Sequence, residues 1–214
     1  MTVSSSLSDP SPPGTQLGRP VGADGEQTRH RIMAAAMRCV AQVGYSRATI
    51  REIARTANVT SASLYNYFPN KAELLEATVR DRADTAVPRL RKAAAGPGPA
   101  VDRIEAVLDE CGALMREYPD LAAFEWAIRA EHFAKFGGEA RFERFREIIE
   151  GLVEQACRNG ELGAQPDPRA TEEAIYALIY GLTELAATLP ADDYQAALNA
   201  AKVMVRGELF APGS

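Results

Sequence analysis

No stretch of this 214-residue sequence alternates β-branched and polar residues with a period of two, which excludes a sheet as the framework. Cysteine is nearly absent. Cys39, Cys111 and Cys157 are odd in number, widely spaced and set in helical patterns, so they read as reduced core thiols and not as a disulfide framework. Histidine is scarcer still: only His30 and His132 occur, with no ligand partner at metal-binding spacing, so no metal site is expected. A nucleophile motif, a glycine-rich phosphate loop and repeated carboxylate pairs are all lacking, which leaves catalysis and a bound cofactor without positive support. Long hydrophobic runs are missing too. The most apolar late segment, 174–189, is too short to span a bilayer and contains Glu184, so no membrane partner is expected. The first residues lack a basic start followed by an apolar core. No signal peptide is expected, and the expected location is the cytoplasm.

What is present is alanine in abundance and a hydrophobic content of 46%, an all-α composition with room for one large domain or two small ones. Residues 1–25 are the exception, rich in Ser, Pro, Gly and Asp. They cannot bury enough apolar area to fold and are expected to form a disordered arm. Arg19 there could touch a minor groove, although an idle tail is the plainer reading.

The richest signal lies at 49–68, TIREIARTANVTSASLYNYF. Thr49 and Glu52 make a capping box, and Ile50, Ile53, Ala54 and Ala57 follow as one apolar helical face. Asn58 is the non-glycine residue that best tolerates the left-handed conformation of a tight turn. Val59 plugs the angle, Thr60 caps a second short helix, and Leu64 and Phe68 anchor it inward. Ala54 is small where two steeply crossing helices meet. Ser61, Ala62, Ser63, Tyr65 and Asn66 are left facing out. Small residues at the start of such a helix let its backbone enter a major groove closely, and Tyr65 and Tyr67 can donate to phosphates. A second capping box, Asn70 to Glu73, opens the next helix and sets Lys71 beside a helix N-terminus, a natural phosphate position. Shape alone also suits a packing unit that never touches nucleic acid. Charge separates the two readings: residues 26–80 hold eight cations, Arg51 among them, against four acids, while the whole chain is −5.

These residues resemble the tetracycline-repressor (TetR) family of bacterial transcription regulators. The likeness runs through TRHRIMAAA at 28–36, VGY at 43–45, TIREIA at 49–54, ANV at 57–59, LYNYF at 64–68 and KAELL at 71–75. Two positions depart from the family pattern, Asn58 where glycine is usual and Ser61 where a basic residue is common. The resemblance implies DNA-binding roles for Thr49, Thr60, Ser61, Ala62, Ser63, Tyr65, Asn66, Tyr67 and Lys71, to which the local charge adds Arg51. It also implies about nine helices and a homodimer on a palindromic operator in double-stranded DNA.

Beyond 75 the punctuation predicts six helices, at about 71–95 with Pro88 kinking it, 100–118, 119–136, 139–158, 168–189 and 191–210. The expected organisation is an arm at 1–25, a helix-turn-helix domain at 26–75, and a ligand-binding and dimerisation domain at 76–214. Phe124, Trp126, Phe133, Phe136, Phe142 and Phe145 crowd a short span of a chain otherwise poor in aromatics. With Val107, Cys111, Leu114, Met115, Ile149 and Tyr176 they could line an apolar pocket, where Glu125, Arg129, Glu131 or His132 would orient a small molecule. They could equally fill a core. Ala174, Ile175, Leu178, Ile179, Leu182, Leu185 and Ala186 form an apolar stripe, with Ala177 and Gly181 permitting close approach. Ala197, Ala200, Ala201, Met204 and Val205 repeat it on the last helix. These stripes suit a dimer interface or an internal core, and the resembled family pairs its last two helices as a four-helix bundle.

The expectation is a dimeric, ligand-responsive transcriptional regulator acting as a repressor and released by a small apolar or amphipathic effector of unknown identity. Activation, or regulation without a ligand, stays open at this stage. So does a helical interaction module whose helix-turn-helix is only structural.

Overall fold

The computed structural model describes residues 21–135, 143–163 and 167–209, with side chains at 24–129 in the first stretch. Among these residues the chain is all helical, with nine helices: α1 (Val21–Val43), α2 (Ile50–Thr56), α3 (Ser61–Tyr67), α4 (Lys71–Ala94), α5 (Ala100–Glu117), α6 (Leu121–Lys135), α7 (Glu143–Arg158), α8 (Pro168–Thr188) and α9 (Ala191–Val205).

Ends and starts follow from side-chain chemistry. Three helices stop in the same way, with one residue in the left-handed conformation and two backbone bonds folding back over the last turn. At α2 this residue is Asn58 (φ 54°), at α7 Gly160 (φ 70°) and at α9 Gly207 (φ 76°). Behind them Val59 N–H donates to Ala54, Glu161 to Ala156 and Glu208 to Val203 at 2.9 to 3.0 Å, closing Schellman motifs. Gly207 therefore ends α9 at Val205, five residues before the expected stop at Phe210, which itself lies outside the described residues.

Two other boundaries move. Helix α1 begins at Val21, inside the segment expected to be unstructured, so the 1–25 boundary of the arm is too late by at least five residues. Residues 1–20 lie outside the described part. Pro88 sits inside α4, yet the helix continues to Ala94 although a proline cannot donate to the carbonyl four residues back.

Helix α1 is the keel of the N-terminal unit. It packs on α2 and α4 and also along α6 of the body. Ile32, Val40, Ile53, Leu64 and Leu74 are fully buried there, and at about 1.5–3 kcal/mol for each such side chain this core holds the unit. In the body Val107, Leu108, Phe124, Ile149 and Leu198 play the same part. Gly112 is needed where α5 meets α9, because a Cβ there would come within 2.9 Å of Leu198 Cδ2. One polar seam crosses the body core. Arg103 is 3% exposed and donates to Gln155 Oε1 at 2.6 Å, with Glu161 at 3.9 Å. Glu161 also accepts from the Ala100 backbone N–H, so the α7–α8 loop caps α5, whose own N-cap is Pro99 with no side chain to offer.

Candidate nucleic-acid interface

The turn is built as its residue types demand. Thr49 is extended (φ −109°, ψ 150°), its hydroxyl accepts from Glu52 N–H at 3.2 Å, and the Glu52 carboxylate returns to Thr49 N–H at 3.3 Å. Thr60 caps α3 by accepting from Ser63 N–H at 3.0 Å. Arg31 Nε donates to the Ala57 carbonyl at 2.9 Å and so pins α1 to the turn. Leu64 and Phe68 point inward at 0% and 3% exposure, and the Arg29 guanidinium covers the Phe68 ring at 5.1 Å. Fixing those two inward leaves Ala62, Tyr65 and Asn66 exposed, with Tyr65 at 51%, while Ser61, Ser63 and Tyr67 are half-buried. Tyr67 packs against the core, so its ring is committed even where its hydroxyl is not.

Two details differ from the expectation. At the start of α4 the Asn70 side chain accepts from Glu73 N–H at 2.9 Å, but Glu73 answers the Asn70 amide Nδ2 and not the backbone. This replaces the reciprocal backbone half of the capping box with a side-chain pair. Lys71 Nζ donates to the Tyr45 carbonyl and stands 4.6 Å from the Tyr45 ring centre. It braces the α1–α2 loop against α4, so it is a structural tie before it is a phosphate donor.

Beside α3 lies a shallow open cleft of about 460 Å³ lined by Arg51, Ala54, Arg55, Asn58, Val59, Thr60 and Ser61. Sequence reasoning put Arg51, the α3 cap Thr60 and Ser61 on the binding surface but missed Arg55 and the Asn58 side chain. The i, i+4 spacing of Arg51 and Arg55 was the available signal, since it sets both on one face.

In the body the proposed lining residues separate. Val107, Leu114, Phe124 and Ile149 are buried at 0 to 3% in the continuous core, and Cys111, Met115 and Phe145 pack against it. Burial, helped by the Glu110 charge, pushes the Cys111 thiol up to about 12, so it is inert at neutral pH. Trp126 instead faces outward at 42% exposure, tilted against Tyr180 at 6.0 Å, because the buried residues Phe124 and Ile128 claim the inner face of α6. Tyr176 meets Phe145 at 6.2 Å and Arg146 at 4.1 Å, and Arg129 reaches its hydroxyl at 3.4 Å while covering the Tyr180 ring at 4.7 Å. Tyr180 was missed; its place one turn after Tyr176 was the clue. The side chains of Glu131, His132 and Phe133, and all of Phe136 and Phe142, lie outside the described residues.

The residues of the expected dimer stripe divide between core and surface. Ile179, Leu182 and Ala201 are buried inside the single chain at 5 to 7% exposure, and Ile175, Leu178 and Leu185 pack half-buried against the same core. The most apolar face of α8 therefore serves the subunit, whose α6, α7 and α9 all lie on it. Ala197 is half-buried, and of the named residues only Met204 is fully outward, at 47%. The faces left open are Ala174, Ala177 and the edge at Gly181 on α8, and Ala196, Ala200, Val203 and Met204 on α9.

A capped helix-turn-helix on a helical body defines a class, the helix-turn-helix proteins with a separate C-terminal domain. The chain matches, over residues 32–78, the model of the tetR family of bacterial regulatory proteins. It is 29% identical over 136 residues to the HTH-type transcriptional repressor KstR of Mycobacterium tuberculosis, a match covering 63% of this chain and 60% of that one. The chain thus spans less than two thirds of that relative's length. Its fold is that of the fatty acid degradation regulator FadR from Bacillus halodurans (TM-score 0.71, 16% identity, 83% of this chain and 94% of that one). It is also that of FadR from Bacillus subtilis solved in complex with stearoyl-CoA (TM-score 0.67, 18% identity, 85% and 99%). Among the described residues no helix is long and apolar enough to cross a membrane, and no cluster of three or more potential metal ligands occurs.

Proposed function

We propose that this protein is a dimeric transcriptional repressor that binds a palindromic duplex operator through α3 and is released by a small apolar or amphipathic ligand. The observation that carries the reading is the outward face of α3. It holds short polar residues and one exposed tyrosine on a turn locked by capping at both ends, with uncompensated positive charge beside it. Such a face suits base edges and phosphates, and has little to offer an apolar partner.

Two copies would pair through the open faces of α8 and α9, whose small residues permit close helix approach. Two-fold symmetry then sets two copies of α3 toward successive major grooves. The effector would enter where α6, α7 and α8 meet. Arg129, Tyr176 and Tyr180 offer polar orientation there, and Phe145 and Trp126 offer apolar surface. That a regulator of the same fold was solved with stearoyl-CoA supports an effector with an apolar tail and a charged head. Release follows from linkage: a ligand favouring the conformation that misplaces α3 lowers DNA affinity by its differential affinity for the two states. Helix α4, which starts in the helix-turn-helix unit and ends in the body, would carry the change.

The test is Tyr65→Ala, measured by gel shift at fixed salt beside size-exclusion chromatography. Operator affinity should fall while the dimer elutes unchanged. Unaltered affinity would refute the docking of α3. Tyr65 is a cleaner probe than Lys71, whose removal also cuts the brace to Tyr45.

A further inference from the structure

Most cations among the described residues have a partner. In the body Arg91 pairs with Glu147, Arg144 with Asp84, Arg146 with Glu173 and Lys202 with Asp109, at 2.7 to 3.1 Å. In the N-terminal unit Arg31 holds a carbonyl, Arg38 faces Asp120 and Arg47 holds Val43. In that unit the guanidinium groups of Arg51 and Arg55 make no hydrogen bond or ion pair to any described residue, a state shared in the body by Lys92 and Arg169, which do not lie beside one another. Both are exposed, both line the cleft between α2 and α3, and the Asn58 and Ser61 side chains in that cleft are equally uncommitted. The one acid on α2, Glu52, is held back by Thr49 at the far end of the helix.

We infer that this cleft seats the phosphodiester backbone of the duplex whose bases α3 reads, and that Arg55 is a phosphate-binding residue. The inference rests on the reading of α3 as a DNA-contacting helix. Charge complementarity selects the occupant: two guanidiniums one helical turn apart present a line of planar donors suited to phosphate oxygens. Position agrees, since the first helix of a helix-turn-helix crosses the backbone when the second enters the groove. Arg55 therefore adds sequence-independent affinity, while discrimination stays with α3.

The experiment uses the full chain and two fluorescent duplexes, one enriched from a random-sequence pool and one of random sequence, titrated over a range of salt. Arg55→Ala should weaken binding to both duplexes by the same factor, roughly eightfold per protomer near 0.1 M salt from counterion release alone. It should also flatten the slope of log affinity against log salt by about 0.9 per protomer. Arg55→Lys should keep most of the slope. Because Arg55 is exposed, the variants should melt with the wild type. An unchanged slope and affinity for Arg55→Ala, against a steep wild-type slope, would hand the cleft to a protein partner and overturn the inference. A loss confined to the enriched duplex would overturn it too, by making Arg55 a base reader. If the wild type shows no salt-dependent binding to either duplex, the reading of α3 itself fails.

Discussion

Asn58 isolates the backbone cost of the turn from every side-chain contact. It is the one non-glycine described residue with positive φ, at 54°, and its amide makes no hydrogen bond to any described residue. Replacing it therefore removes no side-chain bond and changes only the ease of reaching the left-handed region. For an alanine that region costs about 1–2 kcal/mol, whereas Asn visits it readily. Two bonds hold the residue there, Asn58 N–H to Arg55 at 3.1 Å and Val59 N–H to Ala54 at 2.9 Å, each worth about 1 kcal/mol net. The turn can thus absorb an alanine without opening.

Asn58→Ala should lose about 1 kcal/mol and Asn58→Val about 2 kcal/mol, since a β-branched residue is a genuine outlier at this φ. Asn58→Gly should stay within about 0.5 kcal/mol of the wild type, its relieved strain offset by a looser unfolded chain. For a chain of this size each kcal/mol moves the melting temperature by about 2–4 °C. Circular dichroism melts at one protein concentration and without DNA would read the series, a fixed concentration being essential if the chain dimerises. Valine melting with the wild type would refute the reasoning, because residue 58 could not then be left-handed in solution.

Gly181→Leu should break the proposed dimer without lowering the melting of the monomer, since a Cβ at Gly181 meets nothing within 4 Å of its own chain. Ile179→Ala should instead cost about 2–5 kcal/mol of stability, as cavity formation in a core does, and sedimentation against melting separates the two. Glu161 is held below the usual carboxylate range by Asn159, the Ala100 N–H and the Arg103 charge. A folded value below the unfolded one means its contribution is complete above the ordinary Glu value of about 4.3 and fades as pH falls through the lowered value. The stability gap between wild type and Glu161→Gln should therefore be constant near neutrality and close in acid; a gap that widens in acid would contradict the cap on α5.

The helix-turn-helix was legible in the sequence because its determinants are local. A cap, a turn residue and two inward anchors lie within twenty residues, and each acts on neighbours a few positions away. What covers the α8 stripe was not legible for the opposite reason. An apolar period on α8 says that a face is covered without saying by what, and here Ile179 and Leu182 are covered by the chain's own helices. Small residues such as Ala177 and Gly181 stand out in the sequence as places for close approach, but against an alanine-rich background nothing marks them as the face that stays open. Long-range polar ties such as Glu161 on Ala100 leave no trace in local pattern at all.

The packing of α1 changes what transmission requires. In the sequence the helix from Lys71 to about residue 95 joins the two units, so its tilt is the natural way for a change in the body to move α3. In the structure α1 rests on α4 and α6 together. The ion pair across the α6 contact, Arg38 to Asp120 at 3.5 Å with Arg38 59% exposed, is worth at most about 1 kcal/mol. Buried apolar residues on both helices, Met37 and Val40 on one and Leu121 and Ala122 on the other, are available to hold that contact instead. Close-packed contacts of that kind move as a block and do not stretch. A displacement of α6 would therefore also reach α1, and through the Arg31 bond at Ala57 the turn before α3, a second route beside α4.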